Sequence, residues 1–306
     1  MAHKGTLYIL IGDSNDRNTV MSQCDPGEMG HGRYPWAFVD KAGKPKMCPK
    51  CMACRNAASN DTWVNLMLFG MTLRGCHAPQ DEFADNGAPD AALRVQGMLP
   101  LVLEMYGSSH RRIVVSMHDG MWSLLALSSD CPAFPMLDSH ASSQFSSEWL
   151  DAVRTQLVAP VWQALGKYAG RTHLMWRTLP TVCGQPDLSA AGPCRAAATG
   201  QLFSQRCIAN WASLTTRAAR PFLCDERLTV ADWRSVACSV FSWQNMSDGL
   251  HWQRDVYSTF AKVTRAAVDA PAAHGACGLR QPSVPECELS RCLPMAPGDT
   301  DDDAYL

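Results

Sequence analysis

No apolar run in this 306-residue chain approaches the roughly 20 residues that span a bilayer, so the sequence offers no membrane-spanning helix. Long basic runs are missing too. With 27 basic against 29 acidic side chains the formal charge is −2, and nucleic acid is not an expected partner. Charged residues are sparse at 18%, against 46% hydrophobic, a balance that suits a buried core. No internal repeat is present, which sets repeat architectures aside. A signal-peptide pattern is also missing, because the first apolar segment, Leu7 to Ile11, already reads as a strand. The length suits one large domain, or one domain with embellishments.

Cysteine is not scarce. The chain has 14, many for a cytosolic protein of this size and an even number. Asn60-Asp61-Thr62 and Asn245-Met246-Ser247 are sequons that permit glycosylation. Two compartments fit. One is a luminal domain, mature or trimmed, whose targeting segment lies upstream; the other is the cytoplasm, with reduced thiols. The first is preferred, so the expected location is the secretory pathway, in the Golgi lumen or outside the cell. In Cys48-Pro49-Lys50-Cys51-Met52-Ala53-Cys54 the cysteines could ligate zinc with Cys76 or His77, or form disulfides. A second clear pair is lacking, so disulfides are preferred over metal. A redox Cys-x-x-Cys role ranks third, for want of a thioredoxin-like context. Residues 41–58 read as an insertion between the first helix and the second strand.

Thr6–Ile11, Trp63–Phe69, Arg112–Met117, His173–Arg177 and Pro221–Cys224 read as buried strands. Helical spacing runs through Ala91–Tyr106, with Leu93, Val95, Met98 and Leu101 on it and Pro100 expected to kink or interrupt it. Ser147–Tyr168, Gly200–Ala218 and His251–Val268 follow the same periodicity. Strands alternating with helices imply a three-layer α/β sandwich around a central, mainly parallel sheet. Ala78–Pro89 and Val182–Pro193 read as surface loops. After Val268 periodicity is lost. The expected layout is one domain over 1–270 and a Cys-containing extension over 271–306, disordered from about Pro297 into its acidic tail.

Two motifs carry chemistry. Leu10-Ile11-Gly12-Asp13-Ser14-Asn15-Asp16-Arg17-Asn18 sets a serine directly after the first strand and before a helix. Asp248-Gly249-Leu250-His251 offers an Asp and a His just before the last helix. In a doubly wound sheet the loop after the first strand lies at the carboxyl edge, where ligands bind. There the Ser14 N–H opens a helix and favours an oxyanion, and Gly12 permits a tight turn. His251 would take the Ser14 proton and return it to the leaving group, while Asp248 holds the imidazole. Taken singly, Ser14 reads as a helix cap, Asp248-Gly249 as a turn and His251 as a packed side chain. Jointly they fit one geometry.

These residues resemble the SGNH/GDSL superfamily, and more narrowly its PC-esterase branch, which includes trichome-birefringence-like polysaccharide O-acetyltransferases. Arg17 stands three residues after the serine and Trp252 directly after the histidine, as is common in that branch. Ile113–Trp122 resembles the third block, His173–Pro180 a strand with an Arg-Thr-x-Pro-like ending, and Val230–Trp233 the segment before the Asp/His loop. The resemblance covers roughly residues 5–268.

The resemblance implies an oxyanion hole of the Ser14 N–H, Gly70 (Gly75 competing) and a third-block side chain. That block usually offers an Asn; here the position holds His118, with Asp119 beside it. His118 is either a donor to the oxyanion or a structural loop residue. Arg17 either binds a carboxylate or sugar, or forms a salt bridge. Trp122 and Trp252 either stack on a sugar or serve the core. The implied activity is serine-dependent acyl transfer on carbohydrate O-acyl groups, most often acetyl, as esterase or O-acetyltransferase. No metal or organic cofactor is called for. The partners would be an acyl-ester or carbohydrate substrate and, for a transferase, an acetyl donor. The other class is an inactive glycan-binding or scaffold protein that keeps the fold.

Overall fold

The computed structural model describes residues 5–25, 37–39, 45–48, 50–68, 70–71, 91–119, 123, 142–180, 215, 228–240, 245 and 251–269, with the backbone alone at 37–39, 45–46, 142–146 and 238–240. The strand expected at Pro221–Cys224, nearly all of the helix expected at Gly200–Ala218, both expected surface loops and the 271–306 extension lie outside these residues.

Buried residues run almost without interruption along the central strands, so both faces of the sheet there are covered. The strands are β1 (Thr6–Gly12), β4 (Met52–Asn56), β5 (Asp61–Met67), β6 (Arg112–Met117), β7 (Thr172–Arg177) and β8 (Thr229–Ala231). They form one six-stranded sheet in the order β4-β5-β1-β6-β7-β8. All neighbours are parallel except β4, which runs antiparallel along β5 at the edge. The register pairs Gly12 with Met67 and Ile11 with Met117, so the carboxyl ends of the central strands lie side by side. A separate antiparallel pair is formed by β2 (Ala37–Val39) and β3 (Pro45–Met47).

On one face, Leu7, Ile9, Ile11, Val64, Val115 and Trp176 share a core with α2 (Ala91–Tyr106) and the helical stretch 142–171. On the other, Tyr8, Leu10, Trp63, Val114 and Met175 meet α1 (Ser14–Gln23), α5 (Trp233–Val240) and α6 (Arg254–Asp269). This is the three-layer α/β/α sandwich that the alternation of elements implied. Burying both faces explains why the strands read as near-continuous apolar runs.

Two helices depart from expectation. α2 runs unbroken through Pro100. Pro100 is exposed, so the carbonyl one turn earlier, which its ring leaves without a donor, can turn to water. The buried face of α2 is also shifted, to Arg94, Val95, Met98, Leu99, Val102 and Leu103. The stretch 142–171 comprises α3 (Ser142–Val153), a π-turn at Arg154–Val158, α4 (Ala159–Leu165) and a 3-10 turn at Gly166–Arg171. The widened turn comes just before Pro160, which has no N–H to return.

The cysteine cluster holds disulfides. Cys48 pairs with Cys51, and Cys54 pairs with Cys24 at the end of α1. The second bond ties α1 to the edge strand β4, a long-range partner that local spacing did not reveal. The zinc alternative drops out for these three sulfurs; Cys76 and His77 lie outside the described residues.

Candidate active site

Ser14 is the first residue of α1, directly behind the carboxyl end of β1. The cap is Asp13, not Ser14: its backbone is extended and its carboxylate accepts the Asn15 N–H at 2.8 Å. That leaves the Ser14 hydroxyl free of capping duty. Ser14 Oγ lies 2.8 Å from His251 Nε2, hydrogen-bond reach for a nucleophile and its base. His251 sits three residues before α6 and is half-buried. Asp248, the third member expected from sequence, lies outside the described residues, as does Trp122.

The strand ends around Ser14 are laced together. Leu68 N–H donates to the Gly12 carbonyl at 2.6 Å, and His118 N–H donates to Ile11 at 3.2 Å. Gly70 follows β5, buried, with φ of 82°, where glycine is favoured. Next to it Met71 N–H donates to Ser123 Oγ at 3.1 Å, and Ser123 Oγ donates to the Asp119 carbonyl at 3.4 Å. Gly75 lies outside the described residues.

Beneath α1 is a set of buried charges that the sequence reading missed. Asp16 Oδ1 lies 2.6 Å from Arg177 Nη2, and Asp16 Oδ2 lies 3.1 Å from His118 Nε2. None of the three is more than 1% exposed. Arg177 Nη2 also donates to the Ile11 carbonyl at 3.2 Å, and its guanidinium lies over the Trp233 ring at 5.0 Å. Burial works against charge on Asp16, yet Arg177 and then His118 outweigh it and hold the carboxyl below its ordinary value. Burial likewise opposes charge on His118, and the Asp16 carboxylate outweighs it and raises the imidazole. Each partner thus favours the charged form of the other. Beside it, burial pushes Asp119 up to about 6, against the pull of His118 and the hydrogen bond from Trp149. Trp149 Nε1 donates to Asp119 Oδ2 at 2.8 Å.

The surroundings of three expected site residues are defined. His118 is 1% exposed and turns Nε2 onto Asp16, the placement of a structural residue in the support beneath α1. Gly12 is required by close approach and not by turn geometry: a Cβ there would stand 1.8 Å from Asp16 Oδ2 and 2.9 Å from His118 Nε2. Trp252 is 3% exposed and meets Phe260 edge-on at 5.9 Å, the placement of a core side chain. Arg17 is half-buried on the first turn of α1.

Asp13, Asp16 and His118 bring ligand atoms within 4.8 Å of one another, the grouping among the described residues that could hold a metal. Arg177 already occupies the cationic place beside Asp16, so the donor set does not fit a metal ion. Sequence gave a weak trace of this network: Asp16 and Arg177 both fall in the motif-like blocks, but nothing along the chain pairs them. Between α1 and the start of α6, an open cleft of about 200 Å³ is lined by Asn18, Met21, Ser22, Trp252, Arg254 and Tyr257.

No protein-family model matches the sequence, and no curated protein matches it. Among solved structures, the chain is similar to an extracellular lipase from Streptomyces rimosus, at a TM-score of 0.39 and 11% identity, covering 86% of this chain and 99% of the lipase. It is similar to Est24, a carbohydrate acetylesterase from Sinorhizobium meliloti, at a TM-score of 0.38 and 12% identity, covering 86% and 99%. A variant of an acetyl xylan esterase from Geobacillus stearothermophilus matches at 0.34 and 10%, covering 87% and 96%. Likeness at these scores carries no inference for this chain, whose fold rests on its own sheet order.

Proposed function

We propose that this chain is a serine-dependent acyl-transfer enzyme of the SGNH/GDSL kind, acting on O-acyl groups of carbohydrate. The observation that carries this reading is the 2.8 Å contact between Ser14 Oγ and His251 Nε2, made at the start of a helix on the carboxyl edge of a parallel sheet. Ser14 attacks the ester carbonyl, and His251 takes its proton and passes it to the leaving alcohol. Asp248 orients the imidazole. The N–H groups of Ser14 and Gly70 hold the oxyanion, the first assisted by the α1 dipole. A second nucleophile then resolves the acyl-enzyme: water in an esterase, a sugar hydroxyl in an O-acetyltransferase. Arg17 after the serine and Trp252 after the histidine support the PC-esterase branch and an acetyl group. The disulfides Cys24–Cys54 and Cys48–Cys51 fit an oxidising compartment of the secretory pathway.

The test is turnover of an acetyl ester together with labelling by a fluorophosphonate. Wild type is expected to turn over and label. Ser14→Ala is expected to lose the label and at least about a thousandfold in kcat, with its melting temperature unchanged. Turnover that is absent in wild type, or equal in Ser14→Ala, would overturn the reading in favour of an inactive binding or scaffold protein. Adding an acetylated donor with an oligosaccharide acceptor separates the two enzymes: acetyl ester formed on the acceptor marks a transferase, free acetate alone an esterase.

A further inference from the structure

Tyr257 lies one turn into α6 and is 3% exposed. Its hydroxyl accepts the Trp252 backbone N–H at 2.9 Å and the Asn18 amide at 3.1 Å, and it donates to Asn15 Oδ1 at 2.9 Å. A phenol offers one donor and two acceptor sites, and all three are used. The partners are what matter. Trp252 directly follows His251, and Asn15 directly follows Ser14. One buried oxygen thus bridges the residue after the proposed base and the residue after the proposed nucleophile. Asn18, a turn further along α1, adds a second hold on the same helix. Beyond Trp252, Gln253 N–H donates to the Asn245 carbonyl at 2.7 Å, which fixes the far side of the His251 segment.

We infer that Tyr257 is a positioning residue that sets the alignment of His251 on Ser14 through the Trp252 backbone and Asn15. The inference rests on the acyl-transfer reading above. The segment that carries His251 precedes α6 and is not a strand of the sheet, so the sheet does not place it; the Tyr257 oxygen couples it to α1. Removing that oxygen keeps the ring in the core, beside Phe260, and deletes the coupling. The Ser14–His251 contact then becomes one of several arrangements, and proton transfer, not substrate binding, suffers.

The experiment compares wild type, Ser14→Ala, Tyr257→Phe and Asn15→Ala in fluorophosphonate labelling rate against pH, in kcat and KM on an acetyl ester, and in melting temperature. Tyr257→Phe is expected to lower kcat and the labelling rate about tenfold to a hundredfold, the scale on which small misplacements act, with KM within about twofold of wild type. Its labelling rate should also keep climbing with pH where wild type reaches a plateau, because hydroxide takes over from a misaligned base. Asn15→Ala should show the same loss, and the double variant should be no worse than the poorer single one. Wild-type labelling kinetics in Tyr257→Phe, with Ser14→Ala silent, would overturn the positioning role and leave the acyl-transfer reading standing. A lowered melting temperature with unchanged kcat would do the same. If wild type itself fails to label, both fall.

Discussion

Ser14 and His251 meet at 2.8 Å but are held in different ways. Ser14 stands on α1, whose buried underside carries Asp16, locked between Arg177 at the carboxyl end of β7 and His118 just past the end of β6. His251 stands ahead of α6 and is coupled to α1 through neighbours, by the Tyr257 hydroxyl. The nucleophile's place is bound up with folding, because disturbing it exposes or orphans buried charge. The base's place is a matter of local alignment. Substitutions below Ser14 should therefore appear in stability first, and those around His251 in turnover first.

The strongest challenge to that contrast is Arg177→Met. It leaves the Asp16 carboxylate buried without its guanidinium, and breaking such a pair costs about 3–5 kcal/mol. Urea unfolding measures this; a loss under about 1 kcal/mol would show that the buried charges are no foundation for Ser14. Next is Asp119, whose folded pKa stands near 6 against an ordinary value of 3.8. Between those values the native state binds more protons than the unfolded state, so this group makes stability fall as pH rises, by about 3 kcal/mol once both states are ionised. Asp119→Asn keeps an acceptor for Trp149 and removes the effect. Stability of the variant minus wild type should grow from pH 4 to pH 6.5 in denaturant titrations. Neighbouring groups act outside most of that window. The support from Asp16, whose pKa is lowered, is lost only as pH falls below 3.8, and that from His118, whose pKa is raised, only as pH climbs above 6.5.

Gly12→Ala should cost about 1–3 kcal/mol as an overpacking change. The atoms a Cβ would strike are ends of side chains, but both are tied into ion pairs and have little freedom to give way. A neutral Gly12→Ala would show that the Asp16 carboxylate can move. The smallest effect is expected at the outer end of α6. Asp269→Asn removes an ion pair with Arg112 in which both side chains are exposed, and should change stability by less than about 1 kcal/mol. A larger loss would mean that α6 depends on that end as well.

The sandwich was legible because strands buried on both faces leave runs such as Tyr8–Ile11 and Ile113–Met117, too apolar to be anything else at that length. The serine and the histidine were legible as motifs at the starts of two helices. What was not legible is polar and long-range. Asp16 reads as an acid in a first helical turn, Arg177 as a strand end and Tyr257 as one more core residue of an amphipathic helix. Only contact across the fold turns them into supports. His118 stayed open between two readings, an oxyanion donor or a structural residue, for the same reason: nothing nearby in sequence announced the carboxylate it faces. Cys24 and Cys54 illustrate the point for covalent bonds, since the partner of the third cysteine in the cluster sat at the end of α1.

The buried side of α1 consists of Asn15, Asp16, Thr19, Val20 and Gln23, four polar residues and one valine. A greasy helix face can roll by some degrees or slide by a fraction of a turn and still find oil to rest on. Directional bonds permit no such drift: rotate α1, and Asp16 leaves Arg177 while Asn15 leaves Tyr257. The helix is thus indexed to the sheet like a gear with few teeth. The azimuth of the Ser14 hydroxyl is the setting that this indexing preserves.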